Sequence, residues 1–174
     1  RDLRRSRAPC AAGAGADPRL RASLYLDDLV DALRDGVDER FGFARYAERL
    51  ALAAGDFTPL LRALDAPPSP IDRMIDALAL EALDPAPDLV GLTVPFPGNL
   101  YAALRIARVV RRHAPRCPLV LGGGYPSTEL RRIEDLRLFE EIDALLFDDG
   151  EEPLLQFLEA RFGSGPPPVP LRTA

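Results

Sequence analysis

A chain of 174 residues that is 47% hydrophobic and carries a net charge of −5 can bury one domain-sized core, but it lacks the concentrated basic surface that neutralising nucleic-acid phosphates requires. Its apolar runs fall short of the ~20 residues of a membrane span and are interrupted by Asp, Arg or Pro. All 22 basic residues are Arg, which excludes a lysine-dependent phosphate loop, lysine Schiff-base chemistry and a receiver domain with its lysine after the last strand.

Residues 1–20 show no periodicity and read as a flexible end. Four Arg lie among the first seven residues without a following apolar region, unlike a secretory leader. The first residue is Arg and not Met, which points to a piece of a longer protein. Ser23 is positioned to cap a helix reaching Gly36, with Leu26, Leu29, Val30 and Leu33 on one face. Phe41, Phe43, Tyr46, Leu50 and Leu52 continue a helical, core-facing stripe to Gly55, and Asp56 to Leu64 forms a short helix before Pro67 and Pro68. Ser69-Pro70-Ile71-Asp72 combines a capping hydroxyl, a first-turn Pro and an acid three residues after Ser. Ile71, Met74, Ile75 and Leu78 form the expected buried face of that helix, which Pro85 and Pro87 end.

Asp88 to Val94 then reads as a strand, and Leu100 to Arg112 as a helix with Leu100, Ala103, Leu104, Ala107 and Val110 on one side and Arg105, Arg108 and Arg112 on the other. A second strand spans Pro118 to Leu121, Thr128 to Glu141 reads as one or two helical turns, and a third strand spans Ala144 to Phe147. A final helix uses Leu154, Leu155, Phe157, Leu158 and Phe162. Strands separated by helices of about a dozen residues imply an α/β fold with a doubly wound, mostly parallel, Rossmann-like sheet. Such sheets usually hold about five strands, so the N-terminal part of the sheet is expected to lie outside this chain. The expected organisation is a helical N-terminal segment over 1–68, a Rossmann-like domain over 69–162 and a Pro-rich linker over 163–174.

Three loops are expected to project from the carboxyl edge of adjacent strands, where open α/β sheets bind ligands. The first holds Thr93, Val94, Pro95, Phe96, Gly98 and Asn99; the second Gly122, Gly123, Gly124, Tyr125, Ser127 and Thr128; the third Asp148, Asp149, Gly150 and Glu151. The glycines admit either a ligand against the main chain or a tight turn at positive φ. Thr93, Ser127 and Thr128 offer hydroxyls, and Asn99 stands near a helix start. Glu152 is assigned to the positive end of the following helix. His113, at the end of an Arg-rich helix, suits the helix dipole better than catalysis. Cys10 and Cys117 are far apart with no Cys-x-x-Cys pair, so reduced thiols in a cytoplasmic protein, and no zinc site, are expected.

Asp88-Leu-Val-Gly-Leu-Thr-Val94, Ala103-Leu-Arg-Ile-Ala-Arg108, Leu119-Val-Leu-Gly-Gly-Gly124 and Asp148-Asp-Gly-Glu151 together resemble the cobalamin-binding domain at the front of cobalamin-dependent radical SAM proteins. The resemblance covers about residues 69–160. Tyr125 stands where that family commonly has His, Ser127 where it has Thr, and Asp148-Asp149 where it has Gly-Glu. The resemblance implies a corrinoid lying flat over the strand edge, its nucleotide tail between the second and third loops, held base-off and without a protein histidine ligand to the metal. It also implies that the four-iron cluster and S-adenosylmethionine belong to a downstream barrel, the expected partner, so no catalytic residue is assigned here. Two further readings stand beside it: a docking scaffold without cofactor, and a nucleotide-sugar-binding half-domain.

Overall fold

The structure is a computed structural model in which residues 17–42 and 56–164 are described. Helix α1 spans Pro18–Gly36 and starts earlier than Ser23 predicts. Asp17 accepts the Arg19 N–H at 3.0 Å and Pro18 occupies the first turn, a start signal that overrides a later Ser. Ser23 lies inside the helix and donates its hydroxyl to the Arg19 carbonyl at 3.0 Å. No residue of α1 is buried. The helical pattern predicted from Phe43 to Gly55 lies outside the described residues. Helix α2, Thr58–Asp65, buries Leu60 and Leu64 beside Phe57.

Helix α3, Pro70–Glu81, has the predicted reciprocal cap: Ser69 Oγ accepts the Asp72 N–H at 3.1 Å, and Asp72 Oδ2 accepts the Ser69 N–H at 2.9 Å. Its buried face differs from the prediction. Met74 and Leu78 are 64% and 63% exposed, while Asp72 and Ala79 are buried. The reason is polar: Asp72 also accepts Arg40 Nη2 at 2.8 Å and the Tyr101 hydroxyl at 3.0 Å. Arg105, predicted to face outward, is buried and bonds the Asp72 carbonyl and Asp76 Oδ2. A buried carboxylate supplied with this many donors is tolerated, and the helix turns to keep it there. Burial also pushes the Tyr101 phenol above its ordinary pKa.

Strands β1 (Val90–Thr93), β2 (Leu119–Gly122) and β3 (Ala144–Leu145) form a parallel sheet in the order β1-β2-β3. Val90 pairs with Leu119 and Thr93 with Gly122, while Val120 pairs with Ala144. Helix α4, Leu100–His113, is the crossover from β1 to β2 and buries the predicted face, as a parallel connection requires. The second connection is shorter in regular structure than predicted. It consists of α5, Gly124–Thr128, and two 3-10 turns over Leu130–Arg132 and Leu136–Glu140. Helix α6, Glu151–Phe162, follows β3. Among the described residues the sheet has three strands and β1 lies at its edge.

Alternation along the strands divides the sheet into unequal faces. Val94, Leu119, Leu121, Leu145 and Phe147 share one core with α4 and with Phe57, Leu60 and Leu64. The opposite face gathers only Val120, Ala144 and Leu146, packed by Leu89 and by Leu154 and Phe157 of α6. Gly91 and Thr93 lie on that second face, one residue out of step with Leu92 and Val94, and both are exposed. The layer over β1 is therefore open.

Candidate functional site

Because all three strands run parallel, their carboxyl ends share one edge, and the three predicted loops leave from it. Beneath them, on the thinly covered face, lies a cleft of about 410 Å3 lined by Leu89, Gly91, Thr93, Val120, Gly122, Gly123 and Leu146, with Asp148 to Glu151 and Leu154 along the α6 side. Its size falls within the ~300–1,000 Å3 of small-molecule sites. The floor is apolar and bare, since two of its strand positions are glycines. A Cβ at Gly91 would meet only Val120 Cγ2, at 3.9 Å, and one at Gly122 would meet the Leu146 carbonyl oxygen at 3.4 Å.

Of the predicted site residues, Thr93, Gly122, Gly123, Asp148, Asp149, Gly150 and Glu151 converge on this cleft. The others serve the loops themselves. Val94 is fully buried; its N–H donates to the Gly122 carbonyl at 2.7 Å and its carbonyl accepts the Tyr125 N–H at 3.1 Å. Tyr125 is buried in the main core, where desolvation pushes its phenol up to about 12. Ser127 and Thr128 donate their hydroxyls to the Gly123 and Gly124 carbonyls at 2.9 and 3.0 Å. Pro95 and Phe96 are exposed, Gly98 is buried, and the Asn99 N–H closes a turn on the Phe96 carbonyl at 3.0 Å. Gly124 lies against the first loop, where an added Cβ would stand 3.2 Å from the Pro95 carbonyl oxygen.

Gly123 meets the requirement of a tight turn while its main chain also lines the cleft. Its φ is 111°, and a Cβ there would stand 2.8 Å from the Val94 carbonyl oxygen and 3.0 Å from Val94 N. The first two loops can touch only because this side chain is absent. Gly150 is likewise left-handed, with φ 83°, and caps α6. Glu151 and Glu152 in the first turn of α6 complement its positive end, worth about 0.3–1 kcal/mol each.

The third loop is tied to the second. Ser127 Oγ accepts the Asp148 N–H at 2.8 Å. Arg131 pairs with Asp148, donates Nε to the Ser127 carbonyl at 3.1 Å, and lies 5.0 Å over the Phe147 ring. Asp148 is the one non-Gly residue with positive φ among the described residues, at 62°, in a region that Asp and Asn enter more readily than other side chains. The cleft-lining Gly91, Leu89, Leu92, Val120, Leu146 and Leu154 were not among the predicted site residues. The signal for the first of them was present: Gly91 and Thr93 alternate with Val90, Leu92 and Val94, marking a strand apolar on one side only. No family model, curated protein or solved structure matches the chain.

Proposed function

We propose that the chain is a cobalamin-binding module of a radical SAM enzyme, holding the corrinoid over the carboxyl edge of the sheet. The observation that carries the reading is the cleft of about 410 Å3 floored by Gly91 and Gly122. A bare, apolar strand surface beside β-strand ends suits a flat heterocycle with an attached phosphodiester. The cleft opens directly below the second and third loops, between which the resemblance runs the nucleotide tail. Thr93 and the main chain at Gly122 and Gly123 would orient that tail, while Val120, Leu146 and Leu154 would exclude water from it. Bound cobalamin supplies a cobalt centre for alkyl or radical transfer. The chain's own part is to bind and orient it, with the chemistry in a downstream barrel that holds the iron-sulfur cluster and S-adenosylmethionine. A cytoplasmic setting accords with the free, buried Cys117. Among the described residues no helix is long and apolar enough to cross a membrane.

The test is a titration of the whole 174-residue chain with hydroxocobalamin, at protein near about 100 μM so that a Kd of ~10 μM is still seen. The expected result is a saturable change in visible absorption. An unchanged spectrum refutes the reading. The ligand-free docking scaffold draws support from α1, which exposes Leu20, Tyr25, Leu26 and Leu29, and that same unchanged spectrum is the result it predicts.

A further inference from the structure

We propose that Arg131 is a positioning residue for the cleft: with Ser127 it grips Asp148, and so sets the third loop and the first turn of α6 that close one side. The inference rests on the reading of the cleft as a ligand site, and it extends that reading to a residue outside the cleft lining. Asp148 is held from two directions, through its main chain by Ser127 Oγ at 2.8 Å and through its carboxylate by Arg131. Ser127 is itself anchored to the Gly123 carbonyl at 2.9 Å, so the grip runs from the glycine turn to the third loop without a break. Arg131 makes three contacts at once on two segments: the Ser127 carbonyl in α5, and the Asp148 carboxylate and Phe147 ring after β3. A planar guanidinium can make these contacts together, whereas an ammonium cannot.

The residues immediately after Asp148 build the cleft wall. Asp149, Gly150 and Glu151 line it, and Gly150 starts α6 from a second left-handed residue. Asp148, Asp149 and Glu151 are exposed and a Cβ added at Gly150 would meet nothing within 4 Å, so little apolar packing defines this turn and the polar clasp orders it. The side chains of Arg131 and Asp148 are 43% and 37% exposed, which leaves the pair outside the core. Surface pairs of this kind contribute little to global stability. Its effect is therefore local order, and local order is what a ligand meeting that wall needs already in place.

The experiment uses the full chain and the variants R131A, R131K, D148N and R131A/D148N. Amide hydrogen exchange at Asp148, whose N–H is held by Ser127 Oγ, and at Leu154, whose N–H closes the first turn of α6 on the Gly150 carbonyl at 2.9 Å, is expected to quicken by about tenfold in R131A, with D148N similar and the double variant no worse than either single one. R131K is expected to recover part of the protection. Hydroxocobalamin binding should weaken about five- to tenfold in R131A, in line with a modest coupling between wall and ligand, and R131K should again recover part. Melting temperatures should stay within about 2 °C of the parent chain. Exchange in R131A equal to the parent overturns the proposal, as do faster exchange with unchanged affinity and a melting temperature lowered by more than about 5 °C. A parent chain that binds no hydroxocobalamin overturns the cobalamin reading instead, while the exchange pattern still decides for or against the clasp.

Discussion

Gly91 and Gly123 are both glycines at the candidate site, yet the structure assigns them opposite consequences on substitution. At Gly91 an added Cβ meets only Val120 Cγ2, at 3.9 Å, an ordinary contact. Gly in a strand costs roughly 0.5–1 kcal/mol relative to Ala, and a β-branched residue suits the pleat. Gly91→Val is therefore expected to leave stability unchanged or raise it by up to about 1 kcal/mol. Its methyl groups would stand in the cleft and lower hydroxocobalamin affinity by more than about tenfold. At Gly123, φ is 111° and ψ −173°, a Cβ would lie 2.8 Å from a backbone oxygen, and Val94 cannot retreat without breaking its 2.7 Å bond to Gly122. Conformational strain of about 1–3 kcal/mol plus that overlap places Gly123→Ala near 2–4 kcal/mol of destabilisation, about a 10 °C fall in Tm for a chain of this size. Urea denaturation and the absorption titration, run on both variants, separate the two effects. Undiminished binding by Gly91→Val would refute the cleft as the ligand site. A Gly123→Ala chain as stable as the parent would refute the close packing of the first two loops.

Asp135 accepts the Phe57 N–H and both the backbone and guanidinium of Arg137, and these bonds, the Arg137 guanidinium foremost, hold its pKa down at about 2 against an ordinary 3.8. A depressed carboxylate stabilises the fold fully above its unfolded value. The advantage of the parent over Asp135→Asn should be about 1 kcal/mol at pH 7, after discounting for the half-exposed Arg137. It should shrink as pH falls from about 4 toward 2, which urea midpoints across that window would check. Tyr101→Phe removes a buried hydroxyl that donates to Asp72 Oδ1 at 3.0 Å and accepts from Arg40 at 2.6 Å. It should cost about 1–3 kcal/mol without altering the cleft, so affinity for hydroxocobalamin should hold while the urea midpoint drops.

The parallel strands, their order and the carboxyl-edge loops were legible because apolar runs of four to seven residues alternate with helical periods. Helix packing was less so. In α3 the apolar spacing pointed to Met74 and Leu78, yet Asp72 is the buried residue, because Arg40, Tyr101 and Arg105 converge on it from distant positions. Hydrophobic period cannot register a donor that arrives from 29 or 32 residues away. Ser127 and Thr128, expected to offer their hydroxyls to a ligand, are engaged locally. They fall in the short helix α5, where a hydroxyl bonds back to the carbonyl four residues earlier.

The cleft itself follows from how the strand residues alternate. In β2 both faces are apolar until Gly122, as expected of a strand covered on both sides. In β1 only the face bearing Val90, Leu92 and Val94 is apolar throughout, and the other carries Gly91 and Thr93. A helix over that second face would find nothing to pack against at Gly91 and would cover a hydroxyl at Thr93. Helix α6 instead settles over Val120, Ala144 and Leu146, where its Leu154 and Phe157 find apolar partners. The roof is thus drawn toward β2 and β3, and the space over β1 is left open along the sheet edge where the three loops end. Filling that space from the strand side, as Gly91→Val does, tests the consequence directly: if alternation in β1 makes the site, one added side chain on its bare face is enough to close it while the fold stands.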